Sequence, residues 1–149
     1  MKLNKKRFIN LLNNNYIFEK KPLVAVAVSG GPDSIALLML LKSWSETIKG
    51  DLLALIVDHK LRKNSSIEAY SIFKYLSENK IKSKILSVNK NKIMKKNMNE
   101  ARINRYKLLT DYCKKNNILY LFVAHHSDDN LETFVNRKIA GSDFDGLLS

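Results

Sequence analysis

Cysteine is almost absent from this chain of 149 residues, which contains a single thiol, Cys113. One thiol cannot form a disulfide within the chain, nor can it supply the clustered thiolates of a zinc or iron–sulfur site. Long hydrophobic runs are missing too, because the longest, residues 35–41, is far shorter than the roughly 20 residues that span a bilayer. The first residues also lack the apolar core of a secretion signal. We therefore expect a cytoplasmic protein, and the length suits one domain.

Acidic residues are scarce as well, with 14 against 26 lysines and arginines, which gives a net charge of +12. The excess is concentrated in two segments: residues 60–96 hold eleven basic residues and two acidic ones, and residues 1–21 hold six and one. A segregated basic surface favours a polyanionic partner such as RNA. Part of the excess reflects a general preference for lysine, which outnumbers arginine by 21 to 5.

What the sequence does contain is a regular alternation of strand-like and helix-like segments. Apolar runs bounded by turn residues predict four strands, at 23–28, 52–57, 81–88 and 118–124. Helical periodicity predicts helices at about 3–13, 33–44 and 99–115, one that follows the cap-like Asn64-Ser65-Ser66, and one that begins near Asp128. The alternation predicts an α/β fold, a Rossmann-like open parallel sheet with helices on both faces. Ligands of such sheets bind beyond the carboxyl ends of the strands, which places 29–34, 58–62, 89–99 and 125–132 along one rim.

Two of only five glycines stand side by side where the first predicted strand ends. The stretch reads Ser29, Gly30, Gly31, Pro32, Asp33, Ser34. Glycines let backbone N–H groups surround an oxyanion, and the start of the following helix adds partial positive charge, so the stretch suits a phosphate loop. The alternative is a plain strand-to-helix turn with Pro32 in the first helical turn. The Walker A pattern is absent, and a carboxylate beside a triphosphate needs a divalent cation, so Asp33 predicts Mg²⁺.

The S-G-G-x-D-S pattern at 29–34 resembles the signature of the PP-loop ATP pyrophosphatases. This resemblance implies an adenine nucleotide alpha hydrolase-like fold and a loop that holds the β- and γ-phosphates as a leaving pyrophosphate. ATP is then cut between its α- and β-phosphates, and AMP is passed to the substrate. It also implies that the metal and arginines elsewhere take the place of a fixed loop lysine.

Further stretches resemble the tRNA(Ile)-lysidine synthase family. They are VDHKLR at 57–62, SSIEA at 65–69, ARINRY at 101–106 and AHHSDDNLETFVNRKIAGSDFDGL at 124–147, with Asn130 where that family usually has glutamine. The resemblance implies that the C2 oxygen of the wobble cytidine in a tRNA(Ile) with a CAU anticodon is adenylated. The side-chain amine of free L-lysine then displaces AMP. The resemblance covers residues 22–149 and implies an ATP-binding catalytic domain there that is shortened at its C-terminal end, while the basic residues and helical pattern of 1–21 predict an N-terminal basic helix.

The predicted nucleotide contacts follow the motifs of that resemblance. We assign ATP binding to Ser29, Gly30, Gly31, Pro32, Asp33, Ser34, His59 and Arg102. His59 has an alternative interpretation, as the residue that simply ends a strand. Four of the five arginines lie inside the motifs, where a planar fork suits phosphate or carboxylate, although buried ion pairs would also explain them.

The predicted chemistry needs a base, because lysine's amine has a pKa near about 10.4 and must lose a proton before it attacks. On a helix, Glu132 would share a face with Asp128 or Asp129; the alternative is an ordinary acidic first turn that favours the helix dipole. His125 and His126 would point in opposite directions on extended backbone, which leaves one of them for the site. We assign catalysis to Asp33, Arg102, His125, Asp129 and Glu132, and substrate binding to Arg62, Arg105, His126, Asp128, Asp129, Glu132 and Arg137.

Three other functions are compatible with at least some of these motifs. A tRNA thiolase of the same superfamily would need clustered or reactive cysteines, and Cys113 stands alone in a predicted helix. A non-enzymatic nucleotide-binding module would bind ATP without turnover, for example as a fragment that lacks its tRNA-binding region. A simple RNA-binding protein would use the basic 60–96 segment and would not depend on Asp33.

Overall fold

Continuous apolar runs form the centre of the molecule, as a sheet buried on both sides requires. The computed structural model describes residues 4–60, 62–89, 98–127 and 130–137; for 98–99, 125–127 and 130–137 it describes the backbone. In chain order the elements are α1 Lys5–Asn15, β1 Leu23–Val28, α2 Pro32–Thr47, β2 Asp51–Asp58, α3 Ser65–Glu78, β3 Ser83–Ser87, α4 Met98–Lys115, β4 Tyr120–Ser127 and β5 Asn130–Arg137. The four predicted strands and the first four predicted helices are thus confirmed, with shifted boundaries.

The strands form one sheet in the order β3-β2-β1-β4-β5. The pairs β1–β2, β1–β4 and β2–β3 are parallel, and β5 runs antiparallel to β4. α1, α2 and α3 contribute to the apolar core on one face of the sheet, and α4 packs on the other. The predicted parallel sheet with helices on both faces is therefore confirmed for its four central strands.

α2 is the most deeply buried of the described helices, as its nearly uniform apolar character predicts. It buries six side chains, whereas α1 and α3 each bury two. The indole nitrogen of Trp44 donates a hydrogen bond to the Asn13 side chain (3.0 Å), and the ring of Phe18 packs against both Trp44 and Tyr120. These contacts attach α1 and the segment that follows it to the sheet.

The helix predicted to begin near Asp128 is wrong. The segment 130–137 is instead the strand β5, with Ser127 opposite Asn130 and Tyr120 opposite Arg137. Apolar residues at 131, 134 and 135 fit a helical stripe, but Thr133, Phe134 and Val135 favour extended backbone, and β4 offers an edge to pair with. Glu132 therefore shares no helix face with Asp128 or Asp129, which lie outside the described residues.

Candidate functional site

A cleft lies at the carboxyl ends of β1, β2 and β4. β1 is the strand at which the sheet changes direction, because its two neighbours are reached by connections on opposite faces. In open α/β sheets this is the usual position of a ligand. Apolar residues of the three strands line much of the cleft, and its polar lining consists of Ser29, Ser34, His59, Ser65, Glu68 and Arg105.

The predicted phosphate loop closes one side of the cleft. The hydroxyl of the buried Ser34 donates to the carbonyl of Gly31 (2.9 Å) and accepts from the N–H of Ser29 (3.2 Å). The Ser29 hydroxyl donates to the Ser34 hydroxyl (3.2 Å) and accepts from the N–H of Gly31 (3.4 Å). The two serines thus fasten both ends of the loop to each other, which fixes its shape.

The two glycines of this loop have different roles. Gly30 has φ +84°, and a Cβ there would lie 2.7 Å from the Cδ1 of Ile72 on α3. Gly31 has an ordinary φ of −71° and serves as the N-cap of α2, with Pro32 at the first helical position. Gly30 is therefore required by backbone conformation and close packing, while the loop leads directly into a helix N-terminus that attracts anions.

Across the cleft, Arg105 projects from α4 on the opposite face of the sheet. Its guanidinium is partly buried, lies 5.6 Å from the ring centroid of Tyr106, and its buried Nε has no hydrogen-bond partner among the described residues. Burial and the charge of Arg102 lower the pKa of Arg105, which nonetheless remains a cation. A buried cationic donor without a protein acceptor is suited to an oxygen atom of a ligand.

His59 completes this part of the cleft. Burial and the charge of Arg105 lower the pKa of His59 from its ordinary 6.5, against the opposing influence of Asp58. The imidazole is therefore mainly neutral at pH 7, with one nitrogen able to donate and the other able to accept a hydrogen bond.

Asp58 holds the connection between β2 and α3. Its carboxylate, 4% exposed, accepts from the hydroxyls of Ser65 (2.8 Å) and Ser66 (2.6 Å) and from the N–H of Lys60 (3.0 Å). Burial alone would raise the pKa of Asp58, but these hydrogen bonds and the charge of Lys60 lower it below 3.8. The serines of the cap-like Asn64-Ser65-Ser66 thus bind a carboxylate, and Asn64 is the N-cap without a side-chain capping bond.

The structure brings together some of the predicted site residues. Ser29, Ser34, His59 and Arg105 line one cleft, and Gly30 to Asp33 complete its loop. Arg102 and Arg62 are exposed and are not part of the cleft lining. The sequence predicted no site role for Asp58, Ser65 or Glu68, although all three lie within the quoted motifs and Ser65 was assigned to a helix cap.

The remaining predicted site residues are placed by backbone register. His125 lies opposite Glu132 and His126 opposite Leu131. Arg137 lies opposite Tyr120 at the start of β4, away from the rim that carries the phosphate loop. Asp128 and Asp129 lie outside the described residues. The register therefore pairs one predicted base with one predicted histidine.

Fold and cleft together define an α/β domain with a glycine loop and a helix N-terminus at the switch point of a parallel sheet, an arrangement suited to phosphate groups. A family model described as a PP-loop domain matches residues 1–149, and the chain belongs to this family. The prediction from the S-G-G-x-D-S pattern is thereby confirmed.

Named relatives are similar over most of this chain. It is 46% identical over 144 residues to a tRNA(Ile)-lysidine synthase of Wolbachia pipientis wMel, covering 95% of this chain and 33% of the relative. It is 40% identical over 132 residues to a tRNA(Ile)-lysidine synthase of Orientia tsutsugamushi, covering 89% of this chain and 30% of the relative. The chain thus spans about a third of the length of these curated relatives.

A solved structure shares the fold. The U34-tRNA thiolase NcsA from Methanococcus maripaludis, solved with its [4Fe-4S] cluster, superposes with a TM-score of 0.66 at 20% identity, covering 80% of this chain and 43% of the thiolase. At this identity the likeness concerns the fold alone. None of the helices in the described ranges is long and apolar enough to cross a membrane.

Proposed function

We propose that this protein carries the ATP-dependent chemistry of a tRNA(Ile)-lysidine synthase. ATP adenylates the C2 oxygen of the wobble cytidine in tRNA(Ile) with a CAU anticodon, and pyrophosphate leaves. The side-chain amine of free L-lysine then attacks C2 and displaces AMP. Identity of 37–46% to relatives of that name supports the proposal. The observation that carries it is one cleft lined both by the loop that Ser29 and Ser34 hold in shape and by Arg105, whose buried Nε has no hydrogen-bond partner among the described residues.

The phosphates of ATP are the ligand that this arrangement suits. N–H groups at the start of α2 and the loop hydroxyls would bind the departing pyrophosphate, and Arg105 would contact phosphate oxygens from the other side. Arg102 remains a predicted phosphate ligand, and its exposed position would let it approach from solvent. The neutral, partly buried His59 is suited to a polar edge of the nucleotide.

Mg²⁺ fits the residues of the loop. Asp33, in the first turn of α2, offers one carboxylate, and Mg²⁺ at phosphate sites is commonly held by one or two carboxylates together with the phosphates and water. The described residues contain no group of three or more metal-ligating side chains. The ion would neutralise charge developing on the pyrophosphate.

The lysine half of the reaction needs a base and a carboxylate for the amino acid. Glu132 and His125, opposite each other in the register of β4 and β5, are the pair we propose for removing the proton from the attacking amine. Asp129 stays a predicted base. Asp128, His126, Arg62, Arg105 and Arg137 stay predicted substrate contacts.

Transfer of labelled lysine to tRNA tests the proposal. With ATP, Mg²⁺ and tRNA(Ile), the protein should incorporate label, and Asp33→Ala and Glu132→Ala should each reduce incorporation by at least about 100-fold, the scale of a lost general base or charge-stabilising group. Asp111→Ala, an exposed acid further along α4, is the matched control and should keep the wild-type rate. Wild-type incorporation by Asp33→Ala would contradict the site.

A further inference from the structure

The carboxylate of Asp58 joins two elements that border the cleft. It lies at the last position of β2 and binds both serines of the first turn of α3, Ser65 and Ser66, as well as the N–H of Lys60. The loop between the two elements is thereby closed by three hydrogen bonds to one buried side chain. None of the proposed chemical steps uses this group.

Burying a carboxylate costs free energy, because the group loses its hydration. Hydrogen bonds to both of its oxygens must offset that loss. Both oxygens of Asp58 are satisfied, and the helix N-terminus of α3 adds favourable charge. Ser65 and Ser66 are the first two helical residues after the N-cap Asn64, so their bonds to Asp58 tie the start of α3 directly to the end of β2.

The residues held by this contact belong to the cleft wall. His59 follows Asp58 directly, and Ser65 and Glu68 from the first turn of α3 line the same cleft. Ile72, one turn further along, is the side chain that lies against Gly30 of the phosphate loop. A shift of the start of α3 would thus displace the histidine and the support of the loop together.

We infer that Asp58, with Ser65 and Ser66, is a positioning residue that holds His59 and the first turn of α3 in place for nucleotide binding. The inference rests on the proposed function in assigning ATP to this cleft. In this inference the Asp58 carboxylate does not touch the nucleotide itself and acts through His59, which would.

Removing the two hydroxyls tests the inference without burying a new group. Ser65→Ala/Ser66→Ala should weaken ATP binding by about tenfold, measured calorimetrically on the whole chain with Mg²⁺ present. Ser71→Ala is the matched control, because this exposed serine of the same helix only bonds the Ile67 carbonyl at 2.9 Å, and it should bind ATP as the wild type does.

The variant Asp58→Asn separates the hydrogen bonds that Asp58 makes from its negative charge. In Asp58→Asn the amide oxygen can still accept from Ser65 and Lys60, and the amide nitrogen can donate to the Ser66 hydroxyl, so ATP affinity should stay within about threefold of wild type. Asp58→Ala makes none of these bonds and should lose affinity at least as strongly as the double serine variant. Equal loss in both Asp58 variants would overturn the positioning role.

A readout without nucleotide keeps the two proposals apart. The ring signals of His59 can be titrated by NMR; Arg105 and Asp58 are the charges that act on the ring, and Glu68 lines the same cleft. Once the hydroxyls are removed, the ring should gain solvent and its pKa should rise toward 6.5, whereas Ser71→Ala should leave it unchanged. If either the His59 titration or the ATP affinity is unaffected in a folded double variant, the inference is overturned. If wild type itself binds no ATP, the proposed function fails, while the His59 titration still decides whether the contact positions the ring.

Discussion

At the scale of single residues, the motif ARINRY does not tell which of its two arginines, Arg102 or Arg105, lines the cleft. Both lie on α4, but Leu109 and Cys113 are buried against the sheet, and Arg105 is one turn before Leu109 on that buried side. Arg102 lies nearer the start of the helix and is exposed. The sequence predicts that arginines serve this site, whereas the packing of α4 determines which one lines the cleft.

Arg105→Met should therefore weaken ATP binding by about tenfold or more, because a charge-assisted hydrogen bond contributes roughly 1.5–3 kcal/mol. Methionine keeps most of the aliphatic packing while it removes the guanidinium. Arg102→Met is the matched variant from the same helix and should cost less. ATP dissociation constants measured side by side check this, and a larger loss in Arg102→Met would return the phosphate contact to that residue.

The contact between Asp58 and the serines of α3 is a second feature that the sequence alone does not reveal. An acid at the end of an apolar strand and a serine pair seven and eight residues later are both visible in the sequence. Their contact depends on how the backbone turns after β2, where Lys60 has φ +51°, and no hydrophobic pattern encodes this turn. The predicted helix cap was the local interpretation of a contact that is in fact tertiary.

At the scale of elements, the sequence predicted correctly those segments whose apolar pattern fits only one type of secondary structure. The strands at 23–28 and 52–57 are continuous apolar runs that only a doubly covered sheet accommodates, and the helix between them has a clear start at Pro32. The prediction for the segment 130–137 was wrong because its apolar residues fit both the helical period of about 3.6 residues and extended backbone. Pairing with β4 decided the outcome, and such a partner is not visible in a local window.

The junction of β1 and α2 gives a prediction at this scale. Gly30→Ala should lower stability by roughly 1–2 kcal/mol, the cost of a left-handed backbone for an alanine, which corresponds to a Tm lower by roughly 2–8 °C. Its Cβ would also displace Ile72 and weaken ATP binding. Differential scanning calorimetry and ATP titration measure the two effects.

Gly31→Ala is the matched control for this variant. Gly31 has φ −71°, and a Cβ there would meet the Ser29 hydroxyl at an ordinary 3.5 Å, so only the weaker N-cap preference of alanine remains and the Tm should fall less than in Gly30→Ala. If Gly30→Ala kept the wild-type Tm and affinity, the proposed role of the left-handed backbone at this loop would be wrong.

At the scale of the whole molecule, charge and topology point to the same partner. The sheet places the phosphate loop, His59 and Arg105 at one rim. The basic segment 60–96 begins at that rim, with exposed Arg62 and Lys63 in the connection to α3. We therefore expect a polyanionic substrate such as tRNA to lie beside the proposed ATP site, where counterion release at the basic residues would favour its binding.

The measurement that tests the central claim most directly is the identity of the products formed from ATP. With ATP labelled at both the α- and the γ-phosphate, Mg²⁺, tRNA(Ile) and free lysine, we expect AMP and pyrophosphate in equal amounts, and neither product when tRNA is left out. Cleavage between the α- and β-phosphates is what a loop that holds departing pyrophosphate requires. Formation of ADP and phosphate, or release of AMP that does not depend on tRNA, would contradict the account.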